Sequence, residues 1–366
     1  MITKEEFKSR RTKVLDYLKE TGGRAVFKSG QLKNFSNDVH YPFRVDSNFY
    51  YLTGFTEPNA ICVLDPQADN PYSLYVEPYD PKHELWDGYR EGLEGAKENF
   101  NADASYDIHD YKEIQDAKEL EELVHSMRSI KSKAETEVMR KSAAIAVQAH
   151  RVAAELITPG IYEYEVEAAL YQVFRSQGAS GCAYPAIVAS GINACTLHYI
   201  ENKKKIDKND LILIDAGCEY QYYASDITRV HHASGKMSQA QQDIYDLVIA
   251  AQQAAIATIK PGASFQESHD AACNVIAEGL VDLGYMKDKN DPEELKQFYM
   301  HGTGHSLGMD VHDVGVDKKT TKYVVGMVTT VEPGIYIKSK KIGVRIEDDV
   351  VVTPKGSECL TEGLEK

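Results

Sequence analysis

Four acids and a pair of histidines in the second half of this 366-residue sequence have the types and spacing to hold metal ions: Asp215, Asp226, Glu332, Glu347 and the pair His301/His305. The acids end or interrupt apolar runs (LILID, SDITRV, TTVE, RIEDDVVV) of the kind that form buried strands. Buried carboxylates without partners are costly, so they must meet cations. The bases close by in sequence are Arg229 and Arg345, whereas two divalent ions would neutralise all four charges. Four carboxylates and one imidazole make an oxygen-rich, sulfur-free set that suits a bridged pair of Mn²⁺, Co²⁺, Fe²⁺ or Zn²⁺. Such a pair, about 3.5–4 Å apart, clamps a bridging water and lowers its pKa towards neutrality. The hydroxide so formed can attack a peptide carbonyl that the metals polarise, and the metals can also bind a free α-amine.

The two histidines lie in His301-Gly-Thr-Gly-His305. Gly302 and Gly304 disfavour a helix there, and an extended backbone also puts residues i and i+4 on one face. One histidine of the pair can ligate metal while the other faces substrate, and His312 follows closely.

The elements that must position these residues read as a duplication. Ser132-Lys-Ala-Glu135 is a capping box opening a helix whose apolar stripe runs through Val138, Ile145, Ala149, Val152 and Leu156 and stops at Thr158-Pro159-Gly160. About 100 residues later Ser238-Gln-Ala-Gln241 opens another, with Ile244, Leu247, Val248, Ala251, Ala255 and Ile259, stopping at Lys260-Pro261-Gly262. A second amphipathic helix follows each stop, near 164–174 and 265–280. LILIDAG (Leu211–Gly217) then matches VTTVEPG (Val328–Gly334), and each is followed by its second acid, Asp226 or Glu347. A two-fold arrangement of the halves would bring all four acids to one centre.

Upstream, residues 1–122 form an α/β domain, with strands expected at Ala25–Phe27, Phe49–Leu52 and Ala60–Leu64. The polar stretch from Asp103 to Lys118 suits an inter-domain connection, and the second domain takes residues 123–366. The net charge of −15 argues against a nucleic-acid partner, which needs a basic footprint. The MITKEEFKSRR start has no apolar secretory region, and no apolar run is long enough to span a membrane. Six scattered cysteines without a CxxC pair read as reduced thiols, which points to the cytoplasm. The Lys203–Lys205 run and His231–His232 are expected on solvated turns.

LILIDAGCEYQYYASDITRV, MHGTGHSLGMDVHDVG, TTVEPGIYI, GVRIEDDVVVT and, around His198, LHYIEN resemble the signatures of the pita-bread (creatinase/aminopeptidase) metallopeptidases, in their aminopeptidase P and prolidase branch. YPFRVDSNFYYLTGFTEPNAICVL (Tyr41–Leu64) resembles the amino-terminal domain of aminopeptidase P, which would restrict access to the site. The resemblance implies an N-terminal α/β domain before a pita-bread fold with pseudo-two-fold duplication. It implies cleavage in front of a proline at position two of a peptide, with Mn²⁺ the expected ion. By it Asp215 would bind one metal, Asp226 and Glu347 would bridge the pair, and His305 and Glu332 would complete the second. Glu332 would double as general base. His198 would stabilise the oxyanion or hold the amide, while His301 and His312 would orient the substrate. Val311, Tyr336 and Arg345 would line a proline slot. Trp86, in WDGYR, falls where relatives place an aromatic that reaches a neighbouring subunit's site, so a dimer or tetramer is implied.

Competing readings remain. A prolidase, cleaving Xaa-Pro dipeptides, would share every ligand and differ in a basic group for the free carboxylate, for which no motif is visible. A non-catalytic pita-bread scaffold or a metal-free amidinohydrolase would have lost ligands, and none is lost here. Gly302-Thr-Gly304-His-Ser-Leu-Gly308 has GxGxxxG spacing, not the GxGxxG of a dinucleotide site.

Overall fold

The computed structural model describes residues 2–114, 117–315 and 320–366. They divide into two compact units, Ile2–Arg128 and Ser129–Lys366.

The N-terminal unit is a five-stranded mixed sheet in the spatial order Ala104–Asp107, Tyr72–Val76, Ile61–Leu64, Arg24–Lys28, Ala117–Lys118. Two expectations fail here. Phe49–Leu52 lies in a helix, Ser47–Thr53, not a strand. Local caps override the aromatic composition: Asp46 accepts the Phe49 N–H at 2.9 Å, and Gly54 closes the helix at φ 71°. Its last carbonyls, Tyr51 and Leu52, accept from the buried guanidinium groups of Arg10 and Arg11 at 3.1 and 2.8 Å. The stretch from Asp103 to Lys118 is no mere connection, because Ala104–Asp107 and Ala117–Lys118 each pair in parallel with a strand of the sheet. Gln115 and Asp116, within that stretch, lie outside the described residues.

The C-terminal unit carries the duplication. Helices α1 (Lys133–Leu156) and α2 (Glu163–Ser176) pack together in the first half, as do α3 (Gln239–Thr258) and α4 (Phe265–Asp282) in the second. Both capping boxes form: Ser132 with Glu135, and Ser238 with Gln241. Strand β1 (Ile187–Ser190) pairs antiparallel with β2 (Leu211–Asp215), which pairs antiparallel with β3 (Thr228–His232). In the second half β4 (Val328–Val331) pairs with β5 (Asp348–Thr353), also antiparallel. A Thr228–Glu347 bridge joins the halves at the strand ends that carry the acids.

The apolar run of β2 has a place for every side chain. Leu211 and Leu213 enter the core beneath α3 and α4, and Ile212 and Ile214 enter the core beneath α1 and α2. A strand covered on both faces reads as continuous apolar sequence, and this fixes Asp215 at its end. The neighbouring glycines allow close backbone approach: a Cβ on Gly217 would sit 1.7 Å from the Ser225 carbonyl, and one on Gly304 2.1 Å from that of Thr330. Among the described residues no helix is long and apolar enough to cross a membrane.

Candidate metal centre

The strand ends open into a cavity of about 700 Å³, lined by Asp215, Asp226, His305, Glu332 and Glu347 together with His198, His301, Val311, His312 and Arg345. All ten were singled out in the sequence. Tyr336 stands directly behind, its hydroxyl 2.8 Å from His301 Nε2. Trp86 is 85% exposed in the N-terminal unit.

Three of the four acids are buried, as the strand reading requires: Asp215 is 8%, Asp226 5% and Glu347 2% exposed; Glu332 is only partly so, its side chain 18% exposed. Ligand atoms of Asp226, His305 and Glu347 all lie within 4.8 Å of one another, close enough to share one cation. Without a cation, burial and then the charges of the neighbouring acids push the Glu347 carboxyl well up, and burial likewise raises Asp226. Glu332 rises to about 7, because burial outweighs the opposing pull of His305 and Arg345.

Two side chains show that this set fits divalent metal. The His305 Nδ1 lies 3.0 Å from the Ser306 carbonyl, to which its N–H donates. Nε2 is thereby left facing Asp226 at 3.5 Å and Glu332 at 3.6 Å, the tautomer a metal-ligating imidazole adopts. In the metal-free geometry burial disfavours the imidazolium, but Asp226 prevails and His305 rises to about 9. The second case is the Tyr184 hydroxyl, which sits 2.7 Å from Asp215 Oδ1 and also within hydrogen-bond reach of Asp226 Oδ1. One hydroxyl proton cannot serve two carboxylates, so the pair requires a further proton or a cation.

A hydrogen-bonded chain links two of these acids to Tyr336 and His301. Arg345 Nη2 contacts Asp215 Oδ2 at 2.5 Å, its Nε contacts Thr228 Oγ1 at 3.2 Å, and its Nη1 reaches the Tyr336 hydroxyl at 2.9 Å. Thr228 in turn donates to Glu347 Oε2 at 2.7 Å. His301 donates from Nδ1 to the Gly302 carbonyl at 2.8 Å, so its Nε2 accepts from Tyr336. Burial, then Arg345, hold its pKa down at about 4, and the ring is neutral at neutral pH. With both nitrogens engaged, the uncharged imidazole offers the cavity its ring and does not compete for cations.

The sequence reading missed three residues here. Tyr184, before β1 in CAYPAI, carries no sequence signal that separates it from core. Thr228 stands two residues after Asp226, and the period of a strand would have put both on one face. Asp349, two residues after Glu347, is buried and accepts the Asp226 N–H at 3.2 Å through Oδ2. Burial, then the Asp226 charge, raise its pKa well up.

Comparison with known proteins gives matching results. Residues 137–354 match the profile described as metallopeptidase family M24, and residues 7–125 that described as aminopeptidase P, N-terminal domain. The Xaa-Pro aminopeptidase of Haemophilus influenzae is 38% identical, with 100% of this chain and 96% of that protein covered. The structure of Pseudomonas aeruginosa aminopeptidase PepP superposes with a TM-score of 0.94 at 40% identity, covering 100% of this chain and 96% of that one. Aminopeptidase P from Escherichia coli with the inhibitor Pro-Leu superposes at 0.93 and 33% identity, with the same coverage.

Proposed function

The chain belongs to metallopeptidase family M24, in its pita-bread aminopeptidase P branch, and from that membership we propose that it is an Xaa-Pro aminopeptidase, hydrolysing the bond between the first residue of a peptide and a proline at position two. The observation that carries this reading is the convergence of four carboxylates and His305 on one cavity that His198 and His301 also line.

We assign Asp215, Asp226, His305, Glu332 and Glu347 as ligands of two divalent ions, with Mn²⁺ favoured by the oxygen-rich set. Bound there, the ions would polarise the scissile carbonyl and acidify a water. The remaining steps fall to the chain's own groups. Glu332 accepts the proton of the attacking water and passes it to the leaving proline nitrogen. His198 donates to the carbonyl oxygen as negative charge grows there. His301, fixed by Gly302 and Tyr336, and His312 hold the peptide backbone beyond the scissile bond. Val311 with the rings of His301 and His312 forms a slot for the pyrrolidine, with Tyr336 packed behind His301.

The helix Pro81–Asp87 buries none of its residues, and Leu85 and Trp86 are 82% and 85% exposed. This supports contact with a second copy of the chain, hence a homo-oligomer. All six cysteines are free thiols, which suits the cytoplasm.

The test is a substrate panel: an Xaa-Pro-Xaa tripeptide, an Xaa-Pro dipeptide and a proline-free tripeptide. Release of the first residue from the proline tripeptide supports the assignment. Preference for the dipeptide makes the enzyme a prolidase, and cleavage of none of the three overturns the reading.

A further inference from the structure

His198 contributes its ring to the cavity, yet among the described residues no hydrogen bond reaches that imidazole. Its placement therefore depends on the backbone that carries it. That backbone is the segment 190–204, which leaves the end of β1, makes a 3-10 turn at Gly191–Cys195 and has no strand of its own.

One carboxylate ties this segment together. Glu163, the first residue of α2, is fully buried at 0% exposure. Its Oε1 accepts from the Ser190 N–H and Ser190 Oγ, both at 2.7 Å, and from Asn193 Nδ2 at 3.1 Å. Its Oε2 accepts from the Tyr199 hydroxyl and the Lys204 N–H, both at 2.8 Å. The Glu163 N–H completes the closure on the Lys204 carbonyl at 3.0 Å. Both ends of the segment and the residue next to His198 thus meet at one side chain. The other flank is held as closely: Cys195 Sγ contacts the Ile342 carbonyl at 3.3 Å, and Asn202 donates to the Ala186 carbonyl and accepts the Val188 N–H, each at 2.9 Å.

A carboxylate is expensive to bury unless its lone pairs are used, and every hydrogen bond this one accepts comes from the segment that bears His198. The helix N-terminus also favours the negative charge at this position. We infer that Glu163 is a positioning residue for His198, fixing the segment 190–204 so that the imidazole faces the reacting carbonyl. This rests on the role assigned to His198 above.

Two substitutions test it, each made in the presence and absence of His198→Ala. Glu163→Gln keeps the shape but turns an amide N–H₂ against a backbone N–H of Ser190 or Lys204. Tyr199→Phe removes only the hydroxyl that the residue next to His198 donates to Glu163. With His198 present, Glu163→Gln should lower kcat on an Xaa-Pro-Xaa tripeptide about tenfold and Tyr199→Phe about threefold, with KM within roughly twofold and bound Mn²⁺ unchanged. In the His198→Ala background each should cost less than about twofold, since no ring remains to be placed. Equal losses in both backgrounds, or no loss from either substitution while His198→Ala is impaired, overturn the inference alone. A fully active His198→Ala enzyme removes the role of His198 and the inference with it. Should Glu163→Gln not fold, Tyr199→Phe decides by the same comparison.

Discussion

Arg345 and Asp215 form a buried ion pair, Nη2 to Oδ2 at 2.5 Å, with the two side chains 5% and 12% exposed. The same guanidinium holds Thr228 and Tyr336, so a single cation links Asp215, the hydroxyl that supports Glu347 and the hydroxyl that supports His301. Lysine could offer a charge but not the planar fork. Arg345→Lys is expected to lower kcat/KM at least about tenfold, equivalent to about 1.4 kcal/mol of transition-state stabilisation. Steady-state kinetics with metal analysis on the same sample checks this; an unchanged kcat/KM would show the fork to be dispensable.

Removal of a ligand acid should stop the reaction without unfolding the chain. Asp226→Ala takes away a carboxylate shared by the cluster, and Glu332→Ala takes away the proposed proton acceptor as well. Proton handling by a positioned group is worth about 10²–10⁴-fold, so turnover by Glu332→Ala should fall by at least that factor while circular dichroism stays native. A fully active Glu332→Ala enzyme would sink the mechanism.

Stabilisation by metal should depend on pH. In the metal-free protein the carboxyls of Asp226, Glu332 and Glu347 are raised, Glu332 to about 7, and His305 is raised to about 9. A raised acid or base holds protons in the folded state that the unfolded chain has released, so its contribution is present at low pH and lost as pH rises through the folded value. Metal displaces those protons. Added Mn²⁺ should therefore raise Tm more at pH 7.5 than at pH 5.5. An equal or larger shift at pH 5.5 contradicts the cluster as the binding site.

His231 should work in the opposite direction. Burial, then Arg229, depress its pKa to about 4, and its buried Nε2 has no hydrogen-bond partner among the described residues. The unfolded chain takes up a proton below its ordinary value that the folded chain refuses, so stability falls as pH drops from about 6.5 towards 4. The penalty by pH 5 is about 2 kcal/mol. Comparing Tm against pH for the wild type and His231→Gln measures it: the variant should lose less between pH 6.5 and 5. Parallel curves would refute the assignment.

The residues legible in the sequence were those whose signals are local. The two capping boxes, the stops at Pro159-Gly160 and Pro261-Gly262, and acids at the ends of apolar runs all report on their own few neighbours. Tyr184 and Glu163 were not legible because their roles depend on partners 31 and 27 or more residues away, and nothing nearby distinguishes them. Phe49–Leu52 misled through composition: aromatic content suggested a strand, while Asp46 and Gly54 marked the helix. His231 was taken for a turn residue because it adjoins His232, yet it pairs with Ile212 within β3, where the antiparallel partner strand sets its environment.

The most direct test is titration of Mn²⁺ into metal-stripped protein, with bound metal and the release of the first residue from an Xaa-Pro-Xaa tripeptide measured on the same samples. The account predicts no turnover without metal and a rate that rises to saturation at two ions per chain. Full turnover by the stripped protein, or none with two ions bound, would contradict it.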